Sequence, residues 1–132
     1  MRDLKERTKE FALRIIRLYG VLPKTTAAQI IGKQALRSGT SVGAHYHEAQ
    51  RSRSNAELIS KIEGALQEMD ETAYWLELLA DSGIVRADRL ADLRREADEL
   101  TAILVTCNKN AKKRTKAEQG AVKAKPEQDP TN

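Results

Sequence analysis

The sequence predicts an all-α protein that folds as an antiparallel up-down-up-down four-helix bundle. No proline lies between Lys24 and Lys125, so no residue in that stretch lacks the backbone N–H that a continuous helix needs. Apolar residues recur three and four positions apart in four successive segments, and strand-like alternation is absent. Hydrophobic residues make up 40% of the 132 residues but aromatic residues only 4%, so we expect a single, mainly aliphatic core.

The first predicted helix begins after Asp3, whose carboxylate can cap its amino end, and continues to about Tyr19. Its apolar residues follow the spacing of one buried stripe, which contains Phe11, Ile15 and Leu18 with Ile16 and Tyr19 beside them. The segment 20–23 (Gly-Val-Leu-Pro) ends this helix.

The second predicted helix is capped by Thr25 or Thr26 and continues to about residue 50. Its predicted buried stripe is Ala27, Ile30 or Ile31, Ala35, Ser38, Val42, Tyr46 and Ala49. A glycine inside a helix costs about 1 kcal/mol relative to alanine. Gly39 and Gly43 therefore indicate that another helix or a ligand approaches closely, and we expect them to let this helix pack tightly against a neighbour.

The third predicted helix begins after Ser54, which forms a capping box with Glu57 three residues later. Its apolar positions hold helical spacing over about six turns, through Leu58 or Ile59, Ile62, Ala65 or Leu66, Met69, Ala73, Leu76, and Leu79 or Ala80. The helix is expected to end at 81–83, with Gly83 in the left-handed conformation.

The fourth predicted helix runs from about Ala87 to Asn108, with apolar positions Leu90, Leu93, Ala97, Leu100, Ile103 and Leu104. Beyond Asn108 the apolar spacing disappears and Lys, Ala, Gln, Glu and Pro dominate. The sequence therefore predicts two parts, a bundle formed by residues 1–108 and a basic, disordered tail formed by residues 109–132.

Charge is divided unevenly along the chain, although the net charge is only +4. Residues 1–61 contain 12 basic and 5 acidic side chains, whereas residues 62–108 contain 4 basic and 11 acidic ones. Such a division favours either a polyanionic partner for one surface or complementary contacts between subunits. The lone Cys107 allows no internal disulfide, and no signal peptide or membrane span is evident, so we expect a cytoplasmic protein without membrane contact.

No residue pattern indicates catalysis, a metal or a cofactor. His45 and His47 point to different faces of a helix, and there is no third histidine to pair with Glu48. Cys107 lies near a helix carboxyl end, where the macrodipole disfavours a thiolate. Because no catalytic motif surrounds the serines either, we expect a protein that is not an enzyme; an enzyme with a site in the bundle core is a distant alternative.

Basic side chains on and between the first two helices are the predicted nucleic-acid-binding residues. They are Arg14, Arg17, Lys24, Lys33, Arg37, Arg51 and Arg53. Each phosphate contact from such residues adds affinity that depends on salt and not on base sequence. The alternative is that these charges only keep the surface hydrated, or pair with Glu63, Glu68, Asp70, Glu71 and Glu77 of a neighbouring subunit.

Tyr74, Trp75 and Leu78 lie beside the predicted core stripe of the third helix. Large apolar residues outside a core stripe often mark a second contact surface. We therefore predict a subunit interface that contains Tyr74, Trp75, Leu78 and also Leu79, together with Gly39 and Gly43 of the second helix. The alternative is that Trp75 only covers the open edge of the bundle.

The segment 38–44 (Ser-Gly-Thr-Ser-Val-Gly-Ala), followed by Tyr46, Glu48 and Ala49, resembles the signature of the "four helix bundle protein" family, also known as products of intervening sequences in large-subunit ribosomal RNA genes. The stretches 58–62 and 68–79 resemble the third helix of that family. His45 and His47 depart from the signature, in which Asn and Arg are common.

The resemblance implies an antiparallel four-helix bundle, often assembled as a homopentameric ring. It also implies a relation to the accessory variability determinant of diversity-generating retroelements, a basic pentamer that binds nucleic acid and works with a reverse transcriptase. We therefore expect a homo-oligomeric accessory or scaffold protein that associates with RNA or DNA. The alternative is a structural or protein-interaction module that binds no nucleic acid.

Overall fold

A computed structural model describes residues 3–124 as four helices joined by short turns. They are α1 (Leu4–Val21), α2 (Thr26–Gln50), α3 (Asn55–Asp81) and α4 (Ala87–Ala124). Each helix packs against the next one along the chain, and α4 returns to pack against α1. The predicted fold class, an all-α antiparallel four-helix bundle, is confirmed.

The helix ends form as the sequence predicts. Asp3, Thr25 and Ser54 cap α1, α2 and α3. The side-chain oxygen of each accepts a hydrogen bond from the backbone N–H three residues later, at 2.8, 3.3 and 3.1 Å respectively. Gly83 has a φ of 77°, the left-handed conformation expected after α3.

The core is aliphatic, and its largest fully buried side chains include Phe11, Ile15, Met69, Leu76, Leu79, Leu90, Leu100 and Leu104. The buried face of α2 begins at Ala28 and Gly32, and the predicted core position Ile30 is 59% exposed. The reason is that the end of α1 lies directly on α2: a Cβ atom at Gly32 would lie 2.4 Å from the Leu22 side chain. The face of α2 that meets α1 is therefore the one that carries glycine.

In α3, a polar residue is buried next to the position that the sequence predicted for the core. Thr72, and not the neighbouring Ala73, faces the interior of α3. The buried hydroxyls of Thr72 and Ser38 lie 2.7 Å apart and link α3 to α2. Ser38 also bonds the Gln34 carbonyl at 3.0 Å, so neither hydroxyl is left without a partner in the core.

The fourth helix is longer than predicted, because it continues past Asn108 to Ala124. Its inner face continues through Ala111, which is fully buried, seven residues after Leu104. Asn55, the first residue of α3, donates a hydrogen bond from Nδ2 to the Ala111 carbonyl at 2.6 Å, and it also bonds the Thr115 hydroxyl. These contacts order a segment that composition alone assigned to a tail; the rest of that predicted tail, residues 125–132, lies outside the described residues.

Within residues 3–124, no helix combines the length and the apolar character needed to cross a bilayer.

Candidate nucleic-acid interface

The antiparallel topology determines which basic residues share an end of the bundle. The start of α1, the turn between α2 and α3, and the carboxyl-terminal part of α4 lie together at one end, which we call the α2–α3 end. The turn between α1 and α2 and the turn between α3 and α4 lie at the opposite end. Basic residues that are close in sequence can therefore be far apart in space.

The seven predicted binding residues do not form one patch. Arg51 and Arg53 lie exposed in the turn at the α2–α3 end, whereas Lys24 lies at the opposite end. The 25 residues of α2 separate them, a distance of about 37 Å at 1.5 Å per residue. Arg17 and Lys33 are exposed between these ends, on α1 and α2.

Arg37 is already paired within the chain. Its guanidinium donates to Glu68 at 3.2 Å and to Glu71 at 2.5 Å, both on α3. The hydrogen bond that Arg37 donates to Glu71 is the main reason that the pKa of Arg37 is raised. The pairing with these carboxylates that we considered between subunits thus occurs inside one chain, and phosphate binding by Arg37 stays a prediction in which the phosphate would replace these carboxylates.

Arg14 is half-buried and lies near an ion-pair cluster between α1 and α4. In that cluster Arg7 donates from Nη2 to Glu99 at 2.8 Å and to Glu96. Burial raises the pKa of Glu96, but the hydrogen bond and charge of Arg7 outweigh burial, and the charge of Arg14 adds to them, so the pKa is lowered overall. Arg14 is therefore close enough to Glu96 for its charge to favour the carboxylate.

Further cations surround Arg51 and Arg53 at the α2–α3 end. An open groove of about 510 Å³ runs between the turn and α4, and its lining includes Ser52, Arg53, Ser54, Arg114 and Glu118. Exposed lysines of the same part of α4 lie nearby along the chain: Lys109, Lys112, Lys113 and Lys116. The sequence placed these lysines in a disordered basic tail and not on a helical surface, although their three- and four-residue spacing is itself a helical signal.

Gly39 is buried between α1 and α2 of one chain. A Cβ atom there would lie 2.8 Å from Cγ1 of Ile15, so the close approach that the glycine indicated is made by α1. This corrects the expectation that Gly39 contacts another subunit. A Cβ atom at Gly43 would lie 3.5 Å or more from Thr8. Gly43 lines a groove of about 270 Å³ between α1 and α2, with Lys5, Lys9 and His47 among its other residues.

The predicted interface residues of α3 differ in exposure. Tyr74 is 52% exposed, whereas Trp75 and Leu78 are half-buried. The rings of Tyr74 and Trp75 meet edge to face with centroids 5.2 Å apart. Leu79 is fully buried in the core, so its predicted place in an interface is wrong.

One exposed face of α3 carries four residues that are spaced four, three and four positions apart: Asp70, Tyr74, Glu77 and Asp81. The three carboxylates form no ion pair among the described residues. We call these four residues the acidic face.

The histidines are separated by the helix. The His45 ring packs on Gly64 of α3, where a Cβ atom would lie 2.9 Å from Nδ1, and His47 is exposed. Glu48 pairs with Lys61 at 2.7 Å, which lowers the Glu48 pKa. Within residues 3–124, no three His, Cys, Asp or Glu side chains are placed to hold a metal ion.

Comparisons with known proteins give the family of this chain. A structure from Bacteroides thetaiotaomicron, described as a protein with unknown function from the S23 ribosomal protein family, is similar at 36% identity and a TM-score of 0.77. The similarity covers 81% of this chain and 99% of that one. No curated protein matches the sequence. A sequence model of the 23S rRNA-intervening sequence proteins matches residues 3–106, so the chain belongs to the 23S rRNA-intervening sequence protein family.

Proposed function

We propose that this protein is a non-enzymatic accessory or scaffold protein of the cytoplasm that binds nucleic acid as a homo-oligomer. The observation that carries the proposal is the pair Arg51 and Arg53 at the α2–α3 end. Both side chains are exposed, and neither guanidinium has an ion-pair partner in residues 3–124. They stand beside other cations on α4, whereas Arg37 and Arg7 are paired within the bundle.

An unpaired arginine is better suited to phosphate than a paired one, because it loses no existing ion pair on binding. Arginine also presents a planar fork that can bind a phosphate through two hydrogen bonds. Such contacts carry no base specificity, which agrees with the lack of any recognised base-reading motif in the sequence. Several copies in one assembly would multiply the contacts and raise the avidity.

Homo-oligomer formation is supported by two surfaces of opposite charge. Within residues 3–124, the carboxylates of the acidic face of α3 have no ion-pair partner. The groove between α1 and α2 has a floor of small residues that includes Gly43 and Ala44, and exposed Lys5 and Lys9 line it. Because these are two different surfaces, contact between them would join the copies head to tail. If the rotation from each copy to the next closes on itself, the copies form a ring, such as the pentamer implied by the resemblance.

Salt-dependent binding of labelled RNA and single-stranded DNA tests the proposal. We expect the wild-type protein to bind both at 50 mM salt and to lose most affinity at 200 mM. Arg51→Glu/Arg53→Glu should weaken binding at least tenfold. Arg86→Glu/Arg89→Glu changes the charge equally at the opposite end, in the turn between α3 and α4 and in the first turn of α4, and should weaken binding much less.

Two results would overturn the proposal. Absence of binding at 50 mM salt would favour the alternative, a protein-interaction module in which the charged surfaces only join subunits. Equal losses in the two double variants would show that net charge alone, and not the α2–α3 end, determines binding.

A further inference from the structure

The carboxyl-terminal part of α4 presents a row of lysines on a fixed support. Lys112, Lys113 and Lys116 follow Lys109 by three, four and seven residues. At this spacing the four lysines share one helical face. All four are exposed; Lys109, Lys113 and Lys116 lie on the side of α4 away from the buried Ala111, and Lys112 lies at the edge of that side, next to Glu63 of α3. We call this row the lysine face; it extends about 10 Å along the helix axis.

The lysine face is anchored to the bundle. Asn55 bonds both the Ala111 carbonyl and the Thr115 hydroxyl, so the backbone between them cannot move independently of α3. Of the four lysines, Lys112 has a carboxylate nearby, Glu63 at 3.2 Å. That pair is about half-exposed on both sides, so solvent weakens it and Lys112 can exchange Glu63 for another anion.

A second group of cations adjoins this row. Arg114 follows Lys113 on α4 and lines the groove of about 510 Å³ together with Arg53 of the turn. The hydroxyls of Ser52 and Ser54 belong to the same lining, and Glu118 is its acidic member. Lysines along a helix and two arginines in the adjoining groove give a surface that can contact several phosphates of one rigid polyanion.

We propose that the lysine face, with Arg53 and Arg114, binds the phosphate backbone of duplex nucleic acid without reading its sequence. This inference rests on the proposed function and specifies its surface and its ligand. A duplex carries one charge per about 1.7 Å of axis in a regular array, which suits cations held at fixed spacing. RNA and DNA duplexes share this chemistry, so the experiment includes both.

Among the described residues, the lack of fully exposed aromatic side chains at the α2–α3 end, where Tyr46 is half-buried, favours a duplex over a single strand. Proteins that bind single strands stack the bases on aromatic rings, at about 1–3 kcal/mol per base. No aromatic residue occurs between Trp75 and the end of the sequence. The exposed aromatic side chain of the described residues, Tyr74, lies 19 residues after the first residue of α3, near the opposite end of the bundle.

A membrane surface fits the lysine face less well. Helices that lie on membranes insert large apolar residues beside their lysines. The segment 109–121 contains Asn, Ala, Thr, Gln and Gly between its charges and no Leu, Ile, Phe or Trp. Anionic lipid would therefore be held by charge alone.

The test measures binding of a 20-base-pair RNA duplex, a DNA duplex of the same sequence and an unstructured 20-nucleotide strand by fluorescence anisotropy at 100 mM salt. The wild-type protein should bind at least one duplex more tightly than the strand. Lys113→Glu/Lys116→Glu should weaken duplex binding at least tenfold and reduce the slope of log affinity against log salt by about 1.8, since two phosphate contacts are lost. Arg86→Glu/Arg89→Glu provides the matched control, and circular dichroism checks that all variants remain helical.

Three results would overturn the inference: tighter binding of the strand than of either duplex, an equal loss in the control variant, or binding of vesicles with 30% anionic lipid that exceeds duplex binding. Unchanged duplex binding by Lys113→Glu/Lys116→Glu, with a loss in Arg51→Glu/Arg53→Glu, would reject the lysine face and leave the proposed function intact. If the wild-type protein binds no nucleic acid at low salt, both fail together.

Discussion

Asn55 donates a hydrogen bond of 2.6 Å to the carbonyl of Ala111, and this contact fixes α4 beyond the point where its aliphatic core positions end. The same amide reaches the Thr115 hydroxyl one turn later. The first residue of α3 therefore helps to attach the last helix to the bundle, together with Glu63, which meets Lys112 at 3.2 Å.

Asn55→Ala should loosen the carboxyl-terminal part of α4. The substitution removes both hydrogen bonds, and each is worth about 1 kcal/mol at most sites. We expect the free energy of unfolding to fall by about 1–2 kcal/mol and amide exchange to rise in residues 112–121, with little change in residues 90–104. Ser60→Ala is the control, because Ser60 is exposed on the same helix. Equal exchange in the two variants would contradict the anchoring role of Asn55.

The length of α4 shows why part of the fold could not be predicted. Caps such as Ser54 and core residues such as Leu100 follow local patterns, and the structure contains both where they were expected. After Asn108 the inner face of α4 consists of one alanine and one threonine, too little for an apolar stripe. Its order depends on Asn55, a partner 56 residues earlier, and no local pattern reveals such a contact.

The candidate binding residues, like the length of α4, could be predicted only in part from the sequence. The sequence identified the basic residues, but it did not show which of them already form an ion pair with an acidic residue. Arg37 meets Glu68 and Glu71 only because α2 and α3 are adjacent and antiparallel. By contrast, the separation of Lys24 from Arg51 could have been deduced, since they stand at opposite ends of one predicted helix.

Gly39 and Gly43 should respond differently to alanine. A Cβ atom at position 39 would lie 2.8 Å from Ile15 Cγ1, whereas at position 43 it would lie 3.5 Å from Thr8. Gly39→Ala should therefore destabilise the protein, and Gly39→Leu should cost about 1–3 kcal/mol or more through overpacking. Gly43→Ala should be neutral or stabilising by up to about 1 kcal/mol, because it removes a helical glycine.

Urea unfolding of the three variants measures these differences. Ile15→Ala combined with Gly39→Ala should cost less than the sum of the two single substitutions, because alanine lacks the Cγ1 and Cγ2 atoms that lie nearest to the new Cβ atom. If Gly39→Ala is as stable as Gly43→Ala, the contact with Ile15 does not require glycine.

The ion pair between Arg7 and Glu96 predicts a dependence of stability on pH. Burial raises the pKa of Glu96, but Arg7 more than compensates, so the folded-state pKa lies below the unfolded value of about 4.3. A carboxylate with a lowered pKa stabilises the folded state above its unfolded pKa, and this contribution is lost as the pH falls through the folded-state pKa. The protein should therefore lose stability from about pH 4.3 downward.

The variant Glu96→Gln should lose less stability than the wild type as the pH falls. Urea unfolding at pH 7 should show a less stable variant, and the difference from wild type should shrink at pH 3. Asp98→Asn is the control, because Asp98 is exposed on α4 and has no ion pair among the described residues. A constant difference between wild type and Glu96→Gln at both pH values would contradict the assignment.

The acidic face of α3 predicts how the assembly can be broken and restored. In the proposed contact between copies, the acidic face would meet the groove that Lys5 and Lys9 line, so Glu77→Lys would bring like charges together and sedimentation velocity should show smaller species than the wild type. Lys9→Glu alone should have the same effect, because it opposes Glu77. The double variant Glu77→Lys/Lys9→Glu exchanges the two charges and should restore the wild-type mass, since the attraction between copies is regained with its sign reversed. Failure of the double variant to reassemble, while each single variant dissociates, would show that the two residues do not meet.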